Sequence, residues 1–323
     1  IIIKRRSQQE SIPFTIIRDD IPLHSVDAGI MLTNDIAYIK INRFAATTYD
    51  EMIKKTNKLK AEGMNKLILD FRGNPGGYLY IANQICDEFL EAGNLIVFTK
   101  GRKRNKQESF ATTKGSLKHI EIICLINEGS ASASEIVSGA LQDNDRGLVI
   151  GRRSFGKGLV QEQITLHDGS LVRLTTQRYY TPSGRCIQKE YNKNSKEYYL
   201  EKYIRDDHYV SNDSLRYTTK NGRTVYGGGG INPDIIIEID TNLNYAQINT
   251  ILSKGLINTF CFEKSELLKK ERIKKYTDIN IDNIYIDFIQ YLKQKENTIE
   301  LKIGKKELIY LKNLMLANIS RHL

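Results

Sequence analysis

The chain has 323 residues, with 48 Lys and Arg against 38 Asp and Glu, for a formal charge of +10. Apolar residues make up 40% and charged residues 27%, an ordinary globular balance that excludes wholesale disorder and collagen-like repeats. No apolar run approaches the roughly 20 residues of a membrane-spanning helix.

Ile1-Ile2-Ile3-Lys4-Arg5-Arg6 is too short and in the wrong order for a signal peptide; without a starting Met it reads as a cut end. Ile36 to Ile41 alternates as a strand. Thr48-Tyr49-Asp50-Glu51 has the spacing of a capping box, opening a helix to about Glu62, with Gly63 suited to its end. Lys66 to Phe71 is a buried-type strand, and Arg72-Gly73-Asn74-Pro75-Gly76-Gly77 a sharp turn. A helix follows, carrying Ile81, Ile85 and Phe89 on one face. A second apolar strand, Ile120 to Ile126, leads through Asn127-Glu128-Gly129 to a helix from about Ala133 to Gln142. This alternation predicts an α/β fold with crossover units. After Gly147 the pattern becomes strands: Gly147 to Ile150, Leu159 to Thr165 and Ser170 to Tyr180, with a hairpin turn at His167-Asp168-Gly169. Lys189 to Arg223 is polar and reads as an excursion. From about Tyr245 the pattern is helical, as in Ile284, Phe288 and Leu292.

Half of the basic excess lies beyond residue 240, interleaved with acids as in Lys269-Lys270-Glu271-Arg272. It reads as solvated helix faces, and without any nucleic-acid-binding signature no nucleic-acid partner is expected. Cys86, Cys124, Cys186 and Cys261 are widely spaced and the five His are scattered, so no metal-ligand spacing exists. Cys124 falls in a buried-type strand and reads as a small hydrophobe.

Chemistry concentrates in Gly129-Ser130-Ala131-Ser132-Ala133-Ser134-Glu135. A Ser at a helix start meets free amides and the positive end of the dipole, which suit a developing oxyanion. Serines also cap helices everywhere, and here Ser134 reads as the N-cap and Ser130 as a loop residue. A nucleophilic Ser needs a base, and no His lies near these motifs in sequence. Lys157, flanked by glycines in Ser154-Phe155-Gly156-Lys157-Gly158, offers one if burial keeps it neutral. Alternation puts Lys157, Leu159 and Gln161 on one face, where the Gln161 amide would orient the amine. Ser154-x-x-Lys157 fits the penicillin-binding motif in spacing only: that motif needs a helix, and its companions are absent.

These runs resemble the carboxyl-terminal processing proteases, also called tail-specific proteases. The resemblance extends through Leu69-Asp70-Phe71-Arg72-Gly73-Asn74-Pro75-Gly76-Gly77, Ala140-Leu141-Gln142-Asp143, Tyr179-Tyr180-Thr181-Pro182-Ser183-Gly184-Arg185-x-Ile187-Gln188 and Gly230-Ile231-Asn232-Pro233-Asp234, in the family's order, over about residues 26–240. It implies a ClpP/crotonase-like core of ββα units with additional strands, and a serine endopeptidase acting near protein C-termini through a Ser-Lys dyad and an acyl-enzyme. Ser132 matches the nucleophile, Lys157 the general base and Gln161 the residue that orients it. The amide of Ala133 with one from Gly76 or Gly77, Gly77 slightly favoured, matches the oxyanion hole. The family uses no metal or organic cofactor, takes proteins with accessible C-termini, and works mostly in the periplasm or cell envelope.

Residues 1–25 depart from the pattern: members carry a PDZ domain before the core, and here only its end and a linker are expected. The insertion at about 189–223 is read as a surface excursion, and 241–323 as a helical region for packing or dimerisation. The alternative is a catalytically silent binding or scaffold protein on the same fold.

Overall fold

The computed structural model describes residues 1–4, 10–19, 24–191, 197–200, 213–238, 245–273, 278–295, 301 and 303–323. The chain forms two compact units, residues 1–238 and 239–323.

The first unit is mixed α/β, as expected. Short strands β1 (Ile2–Ile3) and β2 (Ile12–Pro13) pair with each other. A six-stranded sheet uses β3 (Val26–Met31), β4 (Ile36–Ile41), β5 (Lys66–Asp70), β8 (Glu121–Ile126), β9 (Leu148–Gly151) and β14 (Ile235–Ile236), in the order β14-β9-β8-β5-β4-β3. All neighbours are parallel except β3 and β4. A four-stranded antiparallel sheet uses β6 (Leu95–Lys100), β7 (Gln107–Phe110), β10 (Leu159–Thr165) and β11 (Leu171–Tyr180), in the order β10-β11-β6-β7. A small hairpin, β12 (Arg216–Thr218) and β13 (Thr224–Tyr226), lies within and just beyond the expected excursion. The reading from sequence passed over β3, β6 and β7. Nearly half of the excursion (192–196 and 201–212) lies outside the described residues, while Tyr198 is buried with its ring edge-on to Phe155 at 5.7 Å.

The parallel strands need crossovers, and the helices α1 (Thr48–Ala61), α2 (Leu79–Phe89) and α3 (Ala133–Asp143) supply them. In α2 the buried Ile81, Ile85 and Phe89 form the expected stripe. Helix α3 is buried along its whole length and touches α2, β9 of the first sheet and β6 of the second. Such a helix can be neither amphipathic nor bulky, and its sequence mixes Ala, Ser and Gly with Ile, Val and Leu. Gly139 marks a close approach: a Cβ there would lie 2.9 Å from the Thr181 side chain.

Two helix starts differ from expectation. The position before α1 is Thr47, and Thr48 is already helical. Glu51 does not complete a capping box; its carboxylate accepts the amides of Ser25 (2.8 Å) and Val26 (3.0 Å), which enter β3 and need an acceptor. The position before α3 is Ser132, one turn-half earlier than the expected Ser134. Ser134 is helical, and its hydroxyl donates to the Asn74 carbonyl (3.0 Å).

The second unit is helical: α4 (Tyr245–Ser253), α5 (Leu256–Lys270), α6 (Ile281–Lys295) and α7 (Lys305–His322). Its own core contains Phe260, Cys261, Phe288, Leu311, Met315 and Ile319. Ile284, Phe288 and Leu292 face inward at helical spacing, while charges pair outside, as in Lys264–Asp287 (2.6 Å) and Lys269–Glu266 (2.9 Å). Among the described residues no helix is long and apolar enough to cross a membrane.

Candidate active site

Parallel pairing of β5 with β8 brings their C-terminal ends side by side, Asp70 opposite Leu125. The turns that follow therefore meet. Asn74, fully buried, joins them: its amide donates to Ile41 O (2.8 Å), its Oδ1 accepts the Gly76 amide (2.9 Å), and its carbonyl accepts the Ala131 amide (2.9 Å). Ser130 Oγ donates to Phe71 O (2.8 Å), and Asn127 Oδ1 accepts the Gly73 amide (2.8 Å). Below the turn, Asp70 accepts the Arg72 amide (2.8 Å), two guanidinium nitrogens of Arg72 and the Tyr38 hydroxyl (2.7 Å). Burial alone would raise the Asp70 pKa, but the hydrogen bonds from Arg72 and Tyr38 outweigh it and hold the carboxyl below its ordinary value.

Ser132 stands at the first bend after this junction with φ 56° and ψ −114°, a conformation that non-glycine residues avoid. The surroundings enforce it. Its amide donates to Glu135 Oε2 (2.7 Å), and its carbonyl accepts the amides of Glu135 (2.9 Å) and Ile136 (3.0 Å). Gly76 presses against it from the other turn: with φ +94°, a Cβ there would lie 2.6 Å from Ala131 O, 2.7 Å from Ser132 Cβ and 2.8 Å from Ala133 N. The Gly76 amide is committed to Asn74, whereas the amides of Gly77 and Ala133 have no hydrogen-bond partner among the described residues. Ala133 is the first residue of α3, where amides lack intrahelical acceptors.

Glu135 ties this bend to the segment before β10. Its fully buried carboxylate accepts the Gly156 amide (2.6 Å) and the Lys157 amide (2.9 Å) as well as that of Ser132, and the Ser154 hydroxyl. Burial pushes its pKa up, with the hydrogen bonds from Ser154, Lys157, Gly156 and Ser132 opposing. The Tyr179 hydroxyl sits within reach of Ser132 O (3.1 Å) and Lys157 O, donating its one proton to either. Burial, with the Glu135 charge next, pushes that phenol well above its ordinary range, so it stays a donor. Gln188 Oε1 takes the Gly158 amide (2.8 Å) and Gly156 O takes the Lys189 amide (3.0 Å), so the glycines flanking Lys157 are fixed on both sides.

Together these loops border a cleft of about 520 Å³ lined by Gly76, Gly77, Ser132, Lys157 and Gln161, with Ala133 buried directly behind Ser132. The structure thus gathers all the residues singled out from sequence. Lys157 is half-buried and Gln161 exposed. Among the described residues no hydrogen bond joins the side chains of Ser132, Lys157 and Gln161 to one another; such contacts commonly tighten only when substrate binds. The sequence reading gave no role to Asn74, Glu135, Tyr179 or Gln188. Glu135 had a signal: Ser132 and Glu135 have S-x-x-E spacing, hidden by placing the helix start at Ser134. Asn74, Tyr179 and Gln188 act through long-range contacts that no local pattern announces.

The profile of Peptidase family S41 matches residues 35–197, just over half of the chain. A carboxy-terminal-processing protease of Bartonella bacilliformis is 42% identical over 193 residues, covering 58% of this chain and 44% of its own length. The carboxyl-terminal-processing protease of a Picosynechococcus species is 37% identical over 176 residues, covering 54% and 42%. The solved photosystem II D1 C-terminal processing protease aligns over 63% of this chain and 42% of its own, at 26% identity and a TM-score of 0.46. The chain spans less than half the length of these relatives. With half of its length matched, and with the motif-bearing turns inside that match, the chain belongs to Peptidase family S41.

Proposed function

We propose that the protein is a serine endopeptidase that cleaves polypeptides near their C-termini through Ser132 and Lys157. One observation carries this reading: a serine held at positive φ, at the start of a buried helix, shares a cleft with a lysine and borders two amides that have no partner among the described residues. A strained, over-determined serine is unexplained by packing alone, and strain of this kind clusters at reactive positions.

The chemistry follows from those positions. Neutral Lys157 takes the proton from Ser132 Oγ as Oγ attacks the substrate carbonyl carbon. The amides of Ala133 and Gly77 receive the oxyanion; Gly76, whose amide is bound to Asn74, shapes the loop instead. The tetrahedral intermediate collapses, Lys157 returns the proton to the leaving amine, and an ester to Ser132 remains. Lys157 then deprotonates a water that attacks the ester and frees the new C-terminus. The Gln161 amide orients the amine. On the family's habit, the substrates are proteins with accessible C-termini and the place of action is the periplasm or cell envelope.

The test is cleavage of casein and of a peptide-tailed protein by the full-length protein, by Ser132→Ala and by Lys157→Ala. Both variants are expected to lose at least about 1,000-fold in kcat/KM. Normal cleavage by either variant removes the dyad.

A further inference from the structure

The cleft continues from the catalytic loops onto the antiparallel sheet. Strand pairing sets Gln161 opposite Thr175, Gln163 opposite Arg173, Leu159 opposite Arg178, and Arg178 opposite Lys100. The register shifts between Val160 and Gln161, leaving Thr176 as the extra residue. Directly paired residues share a face, so Arg173 and Arg178 project from the same side as Gln161 and Gln163 in spite of their odd spacing.

Arg173 and Gln163 line the cleft that contains Ser132 and Lys157. Lys100, Arg102 and Arg178 line a shallower depression of about 450 Å³ that shares Leu159 with it. Among the described residues no Asp or Glu lines either. The nearby acids are already bound: Glu162 by Arg104 (2.9 Å) and the Thr176 hydroxyl (3.0 Å), and Glu108 by Lys106 (2.6 Å). Among the described residues none of Arg173, Arg178, Lys100 and Arg102 has an ion-pair partner. Like charges directly opposite each other, as at Lys100 and Arg178, disfavour the sheet.

We propose that this cationic track binds acidic side chains of the substrate polypeptide on one side of the scissile bond, with Arg173 the specificity-determining contact inside the cleft. The track opens into the space beside Ser132, so a chain lying in that space runs over it. A cleft of one sign concentrates oppositely charged partners and sets preference more than raw affinity. The inference rests on the peptidase reading but is tested apart from it.

The binding arm uses full-length Ser132→Ala and a pair of labelled peptides that differ only in Glu against Gln around one Ala-Ala bond. Fluorescence anisotropy is expected to show the Glu peptide bound about tenfold more tightly at low salt, with the difference shrinking at high salt. Adding Arg173→Gln with Arg178→Gln is expected to bring the ratio close to one, while Arg173→Lys keeps most of it. Equal affinities, or a ratio indifferent to these changes, overturn the proposal. So does Arg178-dependent binding of phosphatidylserine vesicles without any preference between the peptides. The cleavage arm compares kcat/KM for the same pair. Equal rates sink the acidic preference and leave the peptidase reading intact. If neither peptide is cut while the binding preference persists, the peptidase reading fails and the track stands.

Discussion

At the scale of single residues, Gly76 and Glu135 decide whether Ser132 faces the cleft. Gly76 has no room for a methyl group and sits at a φ that penalises one. Gly76→Ala is therefore expected to displace the Ser132 bend and lower kcat/KM about 100-fold, the scale of a misplacement near 1 Å. Circular dichroism should show an intact fold, since the change is confined to two turns. Activity within a few-fold of the unaltered protein would contradict the close approach. Some of this was legible: Arg72 to Gly77 reads as a sharp turn, and the resemblance assigned the donors. That the Gly76 amide is occupied by Asn74, leaving that of Gly77, was not legible. It depends on a side-chain turn two residues long, and residue type does not fix which amide such a turn takes.

At the scale of elements, the site is a junction of turns at the ends of parallel strands, and its rigidity comes from buried polar groups. Asp70 pins the turn after β5 through Arg72, Tyr38 and Lys40. Asp70→Asn leaves those donors partly unmatched and is expected to cost about 3 kcal/mol in urea unfolding. Because its folded pKa is lowered, its contribution is present above the ordinary carboxylate value near 4 and is lost as pH falls through the lowered value. The stability gap between the protein and Asp70→Asn should therefore narrow in acid, and a gap constant down to about pH 2 would exclude this account. The strands and helices lining this junction were readable because parallel strands are apolar throughout and α2 keeps a helical stripe. The passages 26–31, 95–100 and 107–110 were passed over. β7 is mostly exposed and carries no apolar pattern. β6 had a signal that went unused: its apolar run Leu95-Ile96-Val97-Phe98 lies between Gly93-Asn94 and Gly101.

At the scale of the whole molecule, two hydrophobic cores without shared members lie in residues 1–238 and 239–323. A chain ending at Glu238 keeps all strands of the six-stranded sheet, including β14, and is expected to fold with the near-ultraviolet signature of its tyrosines. Calorimetry of the longer chain should then resolve a transition matching that of the shorter one; loss of folding on truncation would refute independence. The helical nature of the second unit was plain from its periodicity. The +10 charge was informative only once located: part of it lies on paired helix faces, and part on a sheet face next to the cleft, which strand pairing alone reveals. Glu135 sets the molecule against itself. Its raised pKa means that the protonated form adds stability in full below the unfolded value near 4.3, and that this benefit is lost as pH rises from there through the folded value. The amides of Ser132, Gly156 and Lys157 favour its charged form. The advantage in melting temperature of the parent over Glu135→Gln should therefore shrink as pH rises above about 4.3 and stay level once the folded value is passed; an advantage constant across that range would exclude this account. The bend at Ser132 is thus held by a charge that weakens the very fold that carries it.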